Sequence, residues 1–258
     1  MRLVEYKGLR FALPTEDVLF HKKLSNYVNE LPNGLEKIGY QKRGTLVSVG
    51  ACFGATVIAA LKLAGFSGVI AFEPNQYNCK LLLENLKLND LVDKVEIVSC
   101  AAGARAGSAK MTECSQANIG GHLVHQGEDA RGTKEVVVVS VDEILQELRI
   151  PVKEVGAVWC DAQGSEPFVL AGAKSLLTGE IPWGIELAPG LLKTPPEAYL
   201  EPLQVFDTVL DLRVGREDTI HALPAIYEHY QHTKSPNNPN KSWHTQLLLY
   251  RRYTDGKN

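Results

Sequence analysis

No two cysteines in this sequence stand at a redox or metal-binding spacing. The five, Cys52, Cys79, Cys100, Cys114 and Cys160, are odd in number and far apart. That speaks against a disulfide framework and against a zinc site. They read as free thiols of a reducing, cytoplasmic environment, with Cys100 and Cys160 buried because both sit in apolar runs. Strong charge of one sign is lacking too. A net charge of -3 argues against general affinity for nucleic acid or acidic membrane surfaces. Long apolar runs are also missing. The start, MRLVEYKGLRFALPTED, is charged from the outset and carries no signal-peptide pattern. Gly44–Leu61 is uncharged over 18 residues, the lower limit for a membrane span. It contains Gly44, Gly50 and Gly54 with Ser48 and Thr56, which suit a strand, a glycine turn and a buried helix better. The expectation is a cytoplasmic protein without a membrane or nucleic-acid partner.

What is present is an alternation of strands and helices. Arg2–Leu13 reads as a hairpin around Lys7-Gly8 and Asp17–Glu30 as a helix, so residues 1–43 form an N-terminal segment packed on a core of 44–258, one structural domain in all. Strands follow at Thr45–Val49, Gly68–Phe72 and Val95–Cys100, separated by helices over Gly54–Ala64 and Gln76–Leu88. Ser108–Glu113 and Glu135–Ser140 read as two strands around a polar loop, Ser115–Thr133. Helix Val141–Leu148, strand Ala157–Cys160, helix Ser165–Leu177 and strand Trp183–Leu187 continue the pattern. Strand Val205–Leu212, helix Asp218–Tyr230, loop Thr233–Ser242 and strand Thr245–Arg251 complete the chain. Such alternation predicts an α/β fold: a Rossmann-like, seven-stranded, mostly parallel sheet with helices on both faces and an insertion before the fourth strand. Met111, Trp159 and Trp183 lie in apolar segments and read as core.

Two strand ends carry chemistry. Val49-Gly50-Ala51-Cys52-Phe53-Gly54 places glycines where the chain turns from strand into helix, so that backbone N–H groups approach a ligand closely. A dinucleotide site would have GxGxxG, the middle glycine making room for pyrophosphate. Cys52 stands in that place, which favours a nucleoside ligand without phosphates over a nicotinamide-dependent oxidoreductase. Glu73, before Pro74 and Asn75, ends the second strand, where a carboxylate accepts hydrogen bonds from both ribose hydroxyls. The competing reading is a helix-start acid favoured by the dipole. Asp161 follows the apolar strand Ala157–Cys160, on the sheet edge that faces a ligand crevice. It reads as a proton acceptor or acceptor-orienting group, or as a helix N-cap. Glu186 ends the next strand in the same way. His122, in Asn118-Ile119-Gly120-Gly121-His122, titrates near neutrality and is a candidate base; the remaining histidines fit no ligand spacing, and no metal site is expected.

With these motifs assembled, the sequence resembles the FkbM family of S-adenosylmethionine-dependent methyltransferases. The resemblance rests on Val49-Gly50-Ala51-Cys52-Phe53-Gly54. It rests also on Glu73-Pro74-Asn75 with Asn78, Leu82, Asn85, Leu88 and Asn89, and on Asp161-Ala162-Gln163-Gly164-Ser165-Glu166, spanning about residues 44–190. It implies the seven-strand methyltransferase fold and methyl transfer to an oxygen, often a hydroxyl of a sugar or polyketide. S-adenosylmethionine is then held by Gly50, Ala51, Phe53, Gly54, Glu73, Pro74, Asn75, Ala101, Ala102 and Asp161. Asn118 and His122 lie beside the acceptor, and Asp161, His122 and Glu186 are the catalytic candidates. Two positions depart from the family pattern. Ser48 replaces an Asp and Gln163 a Glu, each removing a negative charge, which raises the alternative of a chain that binds without catalysing.

Overall fold

The computed structural model describes residues 1–114, 118–125, 134–192, 194–235, 238–242 and 244–252. In chain order the elements are β1 (Arg2–Tyr6), β2 (Leu9–Leu13), α1 (Val18–Lys37), β3 (Thr45–Val49), α2 (Ala55–Lys62), β4 (Gly68–Phe72), α3 (Gln76–Leu88), β5 (Val95–Val98), β6 (Ala101–Ala102), β7 (Gly107–Thr112), β8 (Leu123–His125) and β9 (Lys134–Val139). They continue with α4 (Val141–Glu147), β10 (Val155–Cys160), α5 (Glu166–Gly172), β11 (Trp183–Leu187), α6 (Glu197–Leu200), β12 (Thr208–Asp211), β13 (Arg216–Thr219), α7 (Leu223–His232), β14 (Lys234–Ser235), β15 (Asn238–Ser242) and β16 (Thr245–Tyr250).

The main sheet has eight strands in the order β13-β12-β16-β11-β10-β3-β4-β5. From β11 to β5 all neighbours are parallel, and β16 enters antiparallel between β11 and β12. Every residue of β10 and β11 is buried, as expected of strands covered by helices on both faces. One apolar layer lies under α1, α2, α3 and β2, the other under α4, α5, α6 and α7. Strand order reverses at β3: β4 and β5 lie to one side, β10 and β11 to the other. A crevice therefore opens at the carboxyl ends of β3 and β10, the place where open α/β sheets bind ligands.

Several sequence expectations change. The main sheet has an eighth strand, β13, where a helix start is expected. Asp211 accepts hydrogen bonds from the backbone N–H groups of Arg213 (3.0 Å) and Val214 (3.4 Å), reversing the chain so that Arg216–Thr219 pairs with β12. As an edge strand with the polar sequence REDT, it carries no apolar alternation to betray it. Helix α1 runs on to Lys37 through Pro32. Its buried stripe, Phe20, Leu24, Val28, Leu31 and Leu35, keeps helical spacing across the proline and outweighs the lost backbone bond. The third strand breaks after Val98, and β6 joins β9, β7 and β8 in a separate four-stranded sheet, order β6-β9-β7-β8. β14 pairs with β15 inside the expected loop Thr233–Ser242. Of the five thiols only Cys160 is buried, and Cys100 is half-buried because it lies beyond the strand end.

The hairpin β1–β2 is docked by asparagines of the Glu73 motif. Asn85 Oδ1 accepts from Ala12 N at 2.6 Å and Asn89 Oδ1 from Arg10 N at 3.0 Å; Asn89 Nδ2 donates to Arg10 O at 2.7 Å. Four residues apart, one on α3 and one just past its end, the two amides satisfy the free edge of β2 as a further strand would. No described helix is long and apolar enough to cross a membrane.

Candidate active site

The turn after β3 is held open for a ligand. Gly50 N and Ala51 N both donate to Phe72 O at 3.0 Å. Gly50 has φ +77°, and a Cβ there would overlap the carbonyl oxygen of Asp161. Only glycine lets the ends of β3 and β10 lie this close. Gly54, φ +92°, starts α2, and a Cβ there would overlap Leu82. Between them Cys52 takes φ +49° and directs its N–H to Glu73 Oε2 at 2.8 Å. Glu73 Oε1 accepts from Asn75 N at 2.9 Å and from Asn78 Nδ2 at 3.5 Å. Glu73 is thus buried, pinned by two backbone donors, and still has free lone pairs. Burial pushes its carboxyl up to about 7 despite these bonds.

A second cluster stands beyond β10 and β11. Gln163 Nε2 donates to Asp161 Oδ1 at 2.6 Å and to Glu186 Oε2 at 3.0 Å, bridging the two carboxyl groups. Gln163 holds φ +51°, in the left-handed region. Behind it Glu166, fully buried, accepts from Ala162 N at 2.8 Å and Gly164 N at 2.9 Å and so fixes the loop. Burial, with the charges of Asp161 and Glu166, holds Glu186 well above the usual carboxylate range. Burial, with the Asp161 charge, pushes Glu166 up to about 7. Two neighbouring carboxyls do not both ionise cheaply in such a place. Of the two, it is buried Glu186 whose protonated form this surrounding favours. A glutamate at position 163 would add a third carboxylate; the glutamine supplies a donor instead.

Both clusters line one cavity of about 520 Å³. Of the residues singled out in the sequence, Gly50, Ala51, Phe53, Glu73, Pro74, Ala101, Ala102, Asn118, His122, Asp161 and Glu186 line it. Gly54 and Asn75 stand behind the wall as helix N-caps, Asn75 accepting from Tyr77 N and Asn78 N. Ser48, buried on β3, lines the floor. The loop carrying Asn118 is stapled down, Ile119 N donating to Asp17 Oδ2 at 3.0 Å and Ile119 O accepting from Asn78 Nδ2 at 2.9 Å. His122 Nδ1 accepts from Cys114 N at 2.9 Å. That bond occupies Nδ1 and leaves Nε2 as the donor of the neutral ring, and burial pulls its pKa down. Parts of the loop Ser115–Thr133, namely 115–117 and 126–133, lie outside the described residues.

One whole wall of the cavity comes from residues outside the sequence motifs. Lys23, Asn26, Tyr27 and Glu30 of α1 line the cavity, as do Trp159, Arg213, His244 and Gln246. The four on α1 repeat at i, i+3, i+4 and i+7, so a polar stripe was present. A polar stripe usually faces water, and only packing shows that this one faces a cavity. Trp159 is both core, 4% exposed, and wall.

The raised carboxyls have a measurable consequence. Glu30 is also pushed up to about 7 by burial and the Asp161 charge. A carboxyl raised on folding binds more protons in the folded state between its unfolded and folded values. Stability from these groups is complete below about pH 4.5 and lost as pH rises through about 7. The cofactor-free chain is expected to melt lower by roughly 5–10 °C at about pH 8 than at about pH 5. Calorimetry across that range checks it, and a flat or rising profile would show carboxyls ionised throughout.

The donor set fits S-adenosylmethionine. Glu73 offers spare acceptor positions at the place for a ribose, and the close-packed Gly50 turn leaves no pyrophosphate cradle. Asn78 Oδ1, buried and without a partner among the described residues, lies in the same wall. The negative charge of Asp161 complements a sulfonium. No curated protein matches the chain. Among solved structures it is similar to M. jannaschii TYW2 in complex with AdoMet (14% identity, 96% of this chain and 84% of that one, TM-score 0.47). It is also similar to precorrin-6y C5,15-methyltransferase from Geobacter metallireducens GS-15 (11%, 93% and 94%, TM-score 0.47). The methyltransferase FkbM domain matches residues 48–190, from the cavity floor on β3 to the loop beyond β11. With more than half of its length matched, this chain belongs to the FkbM family of S-adenosylmethionine-dependent methyltransferases.

Proposed function

We propose that the chain methylates a hydroxyl oxygen of a small molecule or glycan, with Asp161 as the group that receives the hydroxyl proton. The observation that carries this reading is the bridged pair of carboxyls at the switch point of the sheet, Asp161 and Glu186 joined through Gln163 Nε2, with burial raising Glu186 well above the usual carboxylate range. Gly50, Ala51, Glu73 and Pro74, with Ala101 and Ala102, form the side of the cavity that holds S-adenosylmethionine. When bound, that cofactor supplies a methyl group on a positively charged sulfur, an electrophile that needs no further activation.

The chain's own task is alignment, exclusion of water and removal of one proton. Asp161 Oδ1 is fixed by Gln163, so the carboxylate keeps one orientation. Tyr27, on the facing wall, is held far above its usual range by burial and serves as a neutral hydrogen-bond donor. Trp159 and Phe53 close the floor with apolar surface. The test is an acceptor screen with methyl-labelled donor over hydroxylated metabolites and glycans. Methyl ethers are the expected products. Labelled amines or thiols in place of ethers, or tight cofactor binding with no transfer to any hydroxyl, would overturn the proposal.

A further inference from the structure

The charges lining the cavity are sorted by depth. Its floor is acidic: Glu73 and Glu186 are buried and Asp161 half-buried. Among the described lining residues, the basic side chains Lys23 and Arg213 lie toward the mouth, half-buried and exposed respectively, as does the exposed His244. Those three also lie outside residues 48–190, the stretch that carries the cofactor motifs. Family motif and charge thus divide the cavity along the same line. The floor suits a cationic sulfur, and the mouth is built from parts that the family match does not include.

The mouth is also held rigid. Lys37 Nζ, at the end of α1, donates to Gly215 O in the β12–β13 turn at 2.8 Å. Asp211 lies buried beneath that turn. Its carboxylate accepts from Tyr230 Oη at 2.7 Å and from Thr245 Oγ1 at 2.6 Å, besides the Arg213 and Val214 N–H groups. One buried carboxylate therefore fixes the backbone that carries Arg213 and the strand start that carries His244 and Gln246. Gln246 Nε2 in turn reaches Cys160 O at 3.4 Å. Side chains positioned through such a supporting layer are arranged for recognition at little ordering cost. The acid among them, Glu30, is pushed up to about 7 by burial and the Asp161 charge, which outweigh the lowering by Arg213 and Lys23. Near neutrality it carries less than a full charge, so among the described residues of the mouth Lys23 and Arg213 outweigh it.

Resting on the methyl-transfer reading above, we infer that the acceptor carries an anionic group, a carboxylate or a phosphate, which Arg213 and Lys23 seat at the cavity mouth while its hydroxyl points inward to Asp161. A planar guanidinium matches either anion in two-point fashion, and Lys23, from helix α1, adds a point charge.

The test offers acceptors in matched pairs to the full chain: hydroxy acids beside their methyl esters, and sugar phosphates beside the free sugars. The anionic members should be methylated with kcat/KM at least about tenfold above their partners. The preference should shrink as salt rises, because the mouth is partly exposed. R213Q, at an exposed position, should raise KM for anionic acceptors by roughly 10- to 100-fold; K23Q should act in the same direction but less. Affinity for S-adenosylmethionine should stay within about twofold in both variants, since neither residue lies in the cofactor half. The acid and phosphate arms show which anion the mouth takes. Calorimetric binding of the same pairs to the chain loaded with S-adenosylhomocysteine gives a readout independent of turnover. Equal use of charged and neutral partners, anion KM values untouched by R213Q, or no preferential binding of any anion would each overturn the inference and leave methyl transfer standing. Failure to methylate any hydroxyl, with anions still bound preferentially, would overturn the methyl-transfer reading instead.

Discussion

Replacing Asp161 by Asn is expected to lower the rate of methyl transfer by roughly 10²–10⁴, the usual contribution of a positioned general base. Cofactor affinity should change by less than about tenfold, or about 1.4 kcal/mol. The substitution is informative because Asn keeps nearly everything else. Its Oδ1 still accepts from Gln163 Nε2, which now sits 2.6 Å from the carboxylate. The backbone bond from Asp161 N to Val49 O, 3.0 Å, which joins the ends of β10 and β3, is also untouched. What disappears is the negative charge and the capacity to take a proton. Rates measured with saturating donor across a pH series separate the two roles. A variant that turns over at the wild-type rate would reduce Asp161 to a structural residue. Attention would then pass to Glu30, whose carboxyl lines the same cavity, and not to His122, whose Nδ1 is already occupied.

Glu73→Ala carries the second large effect, on binding. Loss of charge-assisted hydrogen bonds to two ribose hydroxyls should cost about 2–4 kcal/mol, very roughly 30- to 700-fold in cofactor affinity. The structure adds a cost in stability. Glu73 also receives the N–H groups of Cys52 and Asn75, and truncation leaves both donors without their acceptor in a buried turn, at about 1–3 kcal/mol each. Cys52 at φ +49° then loses the bond that holds its unusual backbone angle. Calorimetric titration with S-adenosylmethionine, paired with melting curves, resolves the two contributions. Equal affinities in wild type and variant would remove Glu73 from the site, whatever happens to the melting temperature.

Local patterns made much of the site legible. Thr45–Val49 and Gly68–Phe72 read as strands because their apolar residues run unbroken between turn signals. The ends of those strands then located Gly50 and Glu73 without any knowledge of tertiary contacts. Asp161 and Glu186 followed from the same rule. Their relationship did not: the protonation of one carboxyl by burial against the other, through the amide of Gln163, depends on the parallel pairing of β10 and β11. Gln163 looked like a loss of charge at a motif position. In three dimensions it is the donor that allows two carboxyls to share a small space.

The alternation of strands and helices, the strand ends that carry chemistry and the resemblance to a methyltransferase family are all written in the chain locally. Each of these is encoded within a dozen or so neighbouring residues, by hydrophobic periodicity and turn chemistry. Packing sets which face of α1 lines the cavity, makes an edge strand of the polar stretch after Arg213, and brings Lys23, Glu30, Arg213 and His244 to one cavity. Residues from opposite ends of the chain come together there because helix α1, the β12–β13 turn and the start of β16 pack around the same crevice. Such proximity is set by how layers close over a core. No window of sequence contains both partners, so no local pattern can express it.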